Sequence, residues 1–214
     1  MVIRMAKEAR TEGRNEKETV IIGITGASGV IYGLRAVKVL KEYGYNVISI
    51  YTKEAEKVAK VECNIDIENF LKEFSKGVYT EEEIEAPPSS SSYIVTTKGM
   101  IIIPCSIRTL AEIANGLSYN LVSRTAINFL RVRKRLVLVI RETPLGYIEL
   151  NNALKVAKAG GIILPASPAF YIKPKNLNDI IDFVVGKALD MLEIEHELYK
   201  RWTRVDRTPC DLTF

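Results

Sequence analysis

The sequence is short of the residues from which many catalytic centres are built. Its 214 residues include a single histidine, His196, and three cysteines. One histidine leaves almost nothing for a His-based metal site or a Ser-His-Asp triad, so no metal is expected. Three cysteines, an odd number without metal-ligand spacing, suit a reducing cytoplasm. Long hydrophobic runs are missing too; the longest apolar stretches have strand length, which argues against a membrane span. Charge of one sign does not dominate: 30 Lys and Arg against 26 Asp and Glu give a formal net charge of +4. There is no dense basic run and no nucleic-acid-binding motif. Residues 1–18 mix both charges without an apolar segment, which excludes a secretory signal and suggests a flexible extension. With 47% hydrophobic content, residues 19–202 are expected to form a single α/β domain, followed by a tail at 203–214.

What is present centres on Val20-Ile-Ile-Gly-Ile-Thr-Gly-Ala-Ser-Gly-Val30. An apolar β-branched run meets a turn of small residues and then a helical pattern, Val30, Ile31, Leu34, Val37, Val39, Leu40. Strand, glycine turn and helix aim backbone N–H groups and the positive end of a helix at an anion, usually a phosphate. Gly26 and Gly29 permit close approach, and Thr25 and Ser28 bring hydroxyls. An ordinary tight βα turn would look similar. A dinucleotide fingerprint requires G-x-G-x-x-G and an acid at the end of the second strand. Here the glycines fall at 23, 26, 29 and 33, and the second strand, Asn46 to Thr52, ends on a hydroxyl. A mononucleotide such as FMN fits better than NAD.

Further along, helices are expected at Lys53 to Val61, with Glu62 near the end, and at Asp66 to Phe74. The low-complexity stretch Glu81 to Ser92 reads as a solvated loop. Gly99 to Ile103 is a third strand, running into Pro104-Cys-Ser-Ile-Arg-Thr109 and a short helix. Ser106 is placed to cap that helix. Arg108, in its first turn, opposes the helix dipole, so it is either the partner of an anion or a solvent-facing side chain. Arg124 and Arg131 share one face of the next helix, Asn120 to Arg133. Arg133, Lys134 and Arg135 read as complements to its C-terminal dipole. Leu136 to Ile140 is a fourth strand, ending in Arg141-Glu142-Thr143-Pro144. Gly161 to Leu164 is a fifth, followed by a stiff loop carrying Tyr171. The helix Asn178 to Leu192 has Leu177, Ile180, Ile181, Val184, Val185, Ala188 and Leu189 as its core face, and a tail helix is expected around Glu195 to Trp202. This alternation predicts a doubly wound parallel sheet, a Rossmann-like or flavodoxin-like three-layer sandwich, with polar residues gathered at the carboxyl ends of the strands.

Four motifs, Gly23-Ile-Thr-Gly-Ala-Ser-Gly-Val-Ile-Tyr-Gly33, Pro104-Cys-Ser-Ile-Arg-Thr-Leu110, Val139-Ile-Arg-Glu-Thr-Pro-Leu145 and Pro168-Ala-Phe-Tyr-Ile-Lys-Pro174, closely resemble the flavin prenyltransferases of the UbiX family. The resemblance covers about residues 19–202. It implies an enzyme that joins the dimethylallyl group of dimethylallyl phosphate to N5 and C6 of reduced FMN, without a metal, making the prenyl-FMN used by UbiD-type decarboxylases. It implies FMN contacts at Thr25, Gly26, Ala27, Thr52, Ser106, Ile107, Arg108, Thr109 and Arg141. Tyr171 and Lys187 match prenyl-phosphate contacts, with Arg124 and Arg131 as further phosphate-pocket matches. Ser28, Glu62, Glu142 and Trp202 match the lining of the reacting centre. Each of the last three has a structural alternative: Glu62 as an exposed helix-end residue, Glu142 as an ion pair to Arg141, and Trp202 as a tail anchor. The resemblance also implies a homo-oligomer, commonly a dodecamer, with sites at subunit contacts. Two features depart from the family pattern: Thr52 stands where serine is frequent, and Arg131 where lysine is common. Two competing assignments are a flavin-dependent cysteine decarboxylase, which relies on a histidine in its flavin domain, and a non-catalytic FMN carrier or decarboxylase accessory subunit.

Overall fold

Each strand of the sheet is an apolar run that stops at a polar or small residue suited to start a helix. The computed structural model describes residues 18–202, so the expected N-terminal extension (all but its last residue) and the 203–214 tail lie outside the described residues. Strand β1 (Thr19–Ile24) leads through the glycine turn into α1 (Val30–Glu42). Strand β2 (Asn46–Tyr51) ends at Thr52, whose hydroxyl accepts from Ala55 N–H at 3.2 Å and caps α2 (Lys53–Cys63). Asp66 caps α3 (Ile67–Phe74) in the same way, and β3 (Gly77–Thr80) follows. After the short helix α4 (Ser91–Ile94), β4 (Gly99–Cys105) runs to Ser106, the cap of α5 (Ile107–Ala114). Asn120 caps α6 (Leu121–Arg131), which precedes β5 (Leu136–Ile140) and α7 (Tyr147–Lys158). The chain closes with β6 (Ile162–Pro165) and α8 (Leu177–Met191), capped by Asn176.

All pairings are parallel, in the order β3-β2-β1-β4-β5-β6. The chain starts in the middle of the sheet, builds outward to β3, then crosses back to β4 on the other side of β1. The loops leaving β1 and β4 therefore diverge to opposite faces and open a crevice between them, where ligands of such sheets bind. Alternate residues of the central strands feed two cores. Val20, Ile22 and Ile24 pack with α1, α2, α3 and α8 on one face. Ile21, Met100 and Ile102 pack with α4, α5, α6 and α7 on the other.

The doubly wound sandwich is as expected, and several local details differ. The sheet has six strands, not five. The extra one, β3, is a four-residue, half-buried edge strand opening on glycine, too short to announce itself by pattern. Glu81 to Ser92 is not a solvated linker. Its Glu81 carboxylate accepts from Lys53 N–H at 2.9 Å, and the Pro88 and Ser89 carbonyls accept from Thr125 and Asn128 of α6. Lys134 and Arg135 do not serve the end of α6. Lys134 donates to the Val95 and Thr97 carbonyls, and Arg135 to Met191 O, which ends α8. Leu177 is the first residue of α8 and stays exposed, outside the packed stripe. Glu195 to Trp202 is not helical. Glu193 turns left-handed at φ 54°, and His196 then holds the segment against α8, with Nε2 2.8 Å from Gly186 O.

Candidate active site

The crevice at the β1–β4 divergence is knitted by one hydroxyl. Thr25 Oγ1 donates to Pro104 O at 2.8 Å and accepts from Ser106 N–H at 2.8 Å, tying the two strand ends together. The hydroxyl hydrogen is thus taken, whereas Ser28 in the same turn is exposed to solvent. Gly26 lets this turn lie against α2: a Cβ there would fall 2.2 Å from Glu54 Cβ. On the β4 side, Ser106 Oγ accepts from Thr109 N–H at 3.2 Å. The N–H groups of Ile107 and Arg108, in the first turn of α5, have no helical acceptor and point their positive end at the crevice. Arg108 reaches over it. Its Nε donates to Glu112 Oε1 at 3.0 Å, and Nη1 lies 3.9 Å from Glu54, with the side chain still largely exposed. Glu112 holds the guanidinium in place and raises its pKa by hydrogen bonding, while most of the side chain stays open to solvent.

The enclosed part of this crevice, lined by Gly26, Thr52, Ser106, Arg108 and Asn120 among others, measures about 90 Å³. Small-molecule sites are typically about 300–1,000 Å³.

A second group gathers at the neighbouring strand end. Arg141, after β5, donates from Nε to Ser28 O at 3.0 Å. Glu62, in the last turn of α2, accepts from Gly29 N–H at 2.8 Å. Helix α2 thus carries Glu62 back to the first turn, beside Ser28, instead of leaving it as a plain helix-end residue. Glu142 is exposed and accepts from Thr143 N–H at 3.0 Å, with no ion pair to Arg141.

Tyr171 and Trp202 pack together on the α8 side of the sheet, and Lys187 lies on α8 itself. The Trp202 ring stands edge-on to Tyr171 at 5.0 Å between centroids, and Tyr171 is edge-on to Phe183 at 6.0 Å. Lys187 Nζ lies 3.7 Å from Asp190 and 6.0 Å from the Tyr199 ring centre. Trp202 is both packed on Tyr171 and 61% exposed, so it is an anchor that also presents a face outward. Arg124 and Arg131 do not join this group. They sit exposed on α6, on the opposite face of the sheet, separated by about 10 Å of helical rise. Arg131 Nη1 donates to Asn128 Oδ1 at 2.8 Å.

Sequence reasoning missed Asn120 and Glu81, which line the crevice, and Glu112, which holds both Arg108 and Asn120 Nδ2 (3.1 Å). The only signal was the i,i+4 spacing of Arg108 and Glu112. Cys105, within the Pro-Cys-Ser motif, is fully buried, and burial pushes its thiol far above the ordinary range, which removes it as a nucleophile. Among the described residues no group of three His, Cys, Asp or Glu is placed to hold a metal, and no helix is long and apolar enough to cross a membrane.

A doubly wound sheet with an anion-ready crevice at its topological switch defines a nucleotide-binding α/β protein, and the sequence matches the family described as Flavoprotein over residues 8–189. The flavin prenyltransferase UbiX of Saccharolobus solfataricus is 63% identical over 199 residues, covering 92% of this chain and 99% of that protein. The chain belongs to the UbiX family of flavin prenyltransferases. Among solved structures, AnUbiX (PadA1) in complex with FMN and dimethylallyl pyrophosphate superposes with a TM-score of 0.85 at 37% identity, covering 89% of this chain and all of that one. The dodecameric FMN-dependent UbiX-like decarboxylase from Escherichia coli O157:H7 gives a TM-score of 0.83 at 34% identity, covering 87% of this chain and all of that one.

Proposed function

We propose that this chain joins a dimethylallyl group, delivered as dimethylallyl phosphate, to reduced FMN. The observation that carries the reading is the crevice itself: a helix N-terminus with unpartnered N–H groups and a fixed arginine, on a fold 37% identical to a protein solved with FMN and a dimethylallyl donor. The residues present fit a flavin mononucleotide. Ile107 and Arg108 N–H, with the Arg108 guanidinium, suit its phosphate. Thr52 closes β2 without the carboxylate that a dinucleotide ribose requires. Gly26, Ser106 and Thr109 line the same crevice, with Thr25 as its tie, and the family resemblance adds Ala27 and Arg141 as further FMN contacts. When bound, reduced FMN supplies a nucleophilic N5 and the C6 position at which the new ring closes.

The chain's own residues handle the leaving group and the protons. Breaking the allylic C–O bond leaves its electron pair on phosphate, so cations must surround that oxygen as charge develops. Lys187, Arg124 and Arg131, with the Tyr171 hydroxyl, provide them. Holding the allyl carbon over its acceptor removes translational freedom, worth several kcal/mol of barrier. Glu142, exposed and not paired with Arg141, takes the proton lost as the second bond forms, which balances the proton the allyl double bond must gain in the same closure. Ser28, Glu62 and Trp202 line the reacting centre.

Lys187 and Tyr171 lie on one face of the sheet and Arg124 and Arg131 on the other, so a single chain does not surround one phosphate. This supports a site completed by neighbouring copies in a homo-oligomer, a dodecamer by similarity. The product serves a UbiD-type decarboxylase in the cytoplasm. Anaerobic incubation with reduced FMN and dimethylallyl phosphate, followed by a mass spectrum of the extracted flavin, tests the reading. A mass increase of one C5H8 unit is expected; unmodified flavin would leave a carrier.

A further inference from the structure

Asp190, one residue before the end of α8, is the meeting point of four side chains among the described residues. Its carboxylate receives His196 Nε2 at 3.1 Å, Arg201 Nη2 at 2.8 Å and the Tyr199 hydroxyl, with Lys187 Nζ at 3.7 Å. The side chain is only 14% exposed, so this is not a solvated surface acid. Three of those donors come from the segment after α8, which has no helix or strand to fix its course. His196 uses both ring nitrogens: Nδ1 accepts from Leu198 N–H at 3.2 Å, which places the proton on Nε2 for Gly186 O and Asp190. The rings come so close to α8 that a Cβ at position 186 would fall 2.6 Å from Tyr199 and 2.7 Å from His196. Arg201, held by Asp190, is the immediate neighbour of Trp202, which meets Tyr171 edge-on.

We infer that Asp190 is a positioning residue for the donor-binding wall: directly it fixes Lys187, and through Arg201 and Tyr199 it fixes Trp202 against Tyr171. The inference rests on the reading of Lys187, Tyr171 and Trp202 as donor contacts. A lysine on the open face of a helix samples many rotamers, and a carboxylate at i+3 confines it. A terminal segment with no ladder of backbone bonds keeps its place only through side-chain anchors. Burial alone would raise the Asp190 pKa, but the hydrogen bonds from Arg201 and Tyr199 and the charge of Arg201 outweigh it and lower it, so the group remains an anion.

Asp190→Asn in the full-length protein tests this, using dimethylallyl phosphate, reduced FMN and the fluorescence of Trp202, the only tryptophan. The KM for dimethylallyl phosphate is expected to rise about tenfold, the loss of one charge-assisted contact, with FMN affinity unchanged. Trp202 emission is expected to shift as the ring leaves Tyr171. A purely structural role would lower the melting temperature and the active fraction, hence kcat, while leaving KM and the emission of folded protein unchanged; that result overturns the inference. Arg201→Gln, at an exposed side chain, decides the matter where Asp190→Asn does not fold. It is expected to shift the emission in the same direction and raise KM about two- to threefold, the cost of a weaker hydrogen bond. Unchanged KM and emission in Arg201→Gln would equally overturn it. Wild-type protein that binds FMN but produces no prenylated flavin defeats the functional reading instead, and the emission of the two variants still reports whether Asp190 fixes the segment.

Discussion

Glu62 accepts a 2.8 Å hydrogen bond from the N–H of Gly29, 33 residues earlier, and so places a carboxylate at the N-terminus of α1. An anion is stabilised there by the helix dipole and by first-turn N–H groups. The glycine turn is thus already matched by an internal anion, while no carboxylate is given such a place at the Ile107 and Arg108 N–H groups that open α5. The two helix ends that flank the switch point are therefore not equivalent.

The first prediction follows from that pairing. Glu62→Gln preserves the bond from Gly29 through the amide oxygen and removes the charge, whereas Glu62→Ala removes both. If Glu62 acts in proton handling, both variants lose turnover by about 10²-fold or more, the usual worth of general acid–base help. If it only shapes the turn, Glu62→Gln retains near-normal turnover and Glu62→Ala alone is impaired. Single-turnover prenylation on the two variants distinguishes these outcomes.

Glu142 is separated from Arg141 in a way that sharpens a second test. Arg141 is held by Ser28 O and not by its neighbour's carboxylate. Glu142→Gln is accordingly expected to leave FMN affinity and melting temperature unchanged while slowing turnover by at least about 10²-fold. Weaker FMN binding alongside the rate loss would show an indirect hold on Arg141. Calorimetric titration with FMN, run beside the kinetics, reads this directly.

Gly26 is constrained by space. A methyl group there meets Glu54 Cβ at 2.2 Å and backbone atoms of Glu54 at 3.2 Å, so α2 or the turn must move. Overpacking of this kind costs about 1–3 kcal/mol. Gly26→Ala should lower the thermal midpoint and weaken FMN binding together, because the displaced turn is also the wall of the crevice. A variant that melts like the wild type and binds FMN normally would show that the contact relaxes freely.

A fourth prediction concerns metals. Phosphate departure is assigned to Lys and Arg side chains, and no metal-holding group exists among the described residues. Full turnover is expected in excess chelator. Activity abolished by chelation and restored by Mg²⁺ would place a cation where Lys187, Arg124 and Arg131 have been put.

The sequence by itself determined the things that depend on neighbours along the chain. The apolar run Leu136–Ile140 became β5 with those bounds, and Thr52, Asp66, Ser106 and Asn120 became caps because a short polar side chain beside its own helix needs no distant partner. The order of strands and turns then implied a crevice at the strand ends. Tertiary structure decided whatever depends on residues far apart in the chain. Four-residue β3 exists only because β2 offers it an edge. Glu81 and Lys134, unremarkable in sequence, find N–H and carbonyl groups 28 and 37 residues away. Glu62 reaches Gly29, Asp190 gathers the terminal segment, and Arg124 ends on the opposite face from Lys187, because packing, not spacing, sets which charges meet. Hydrogen bonds and ion pairs act over a few ångströms of space, and only the folded chain brings those ångströms about.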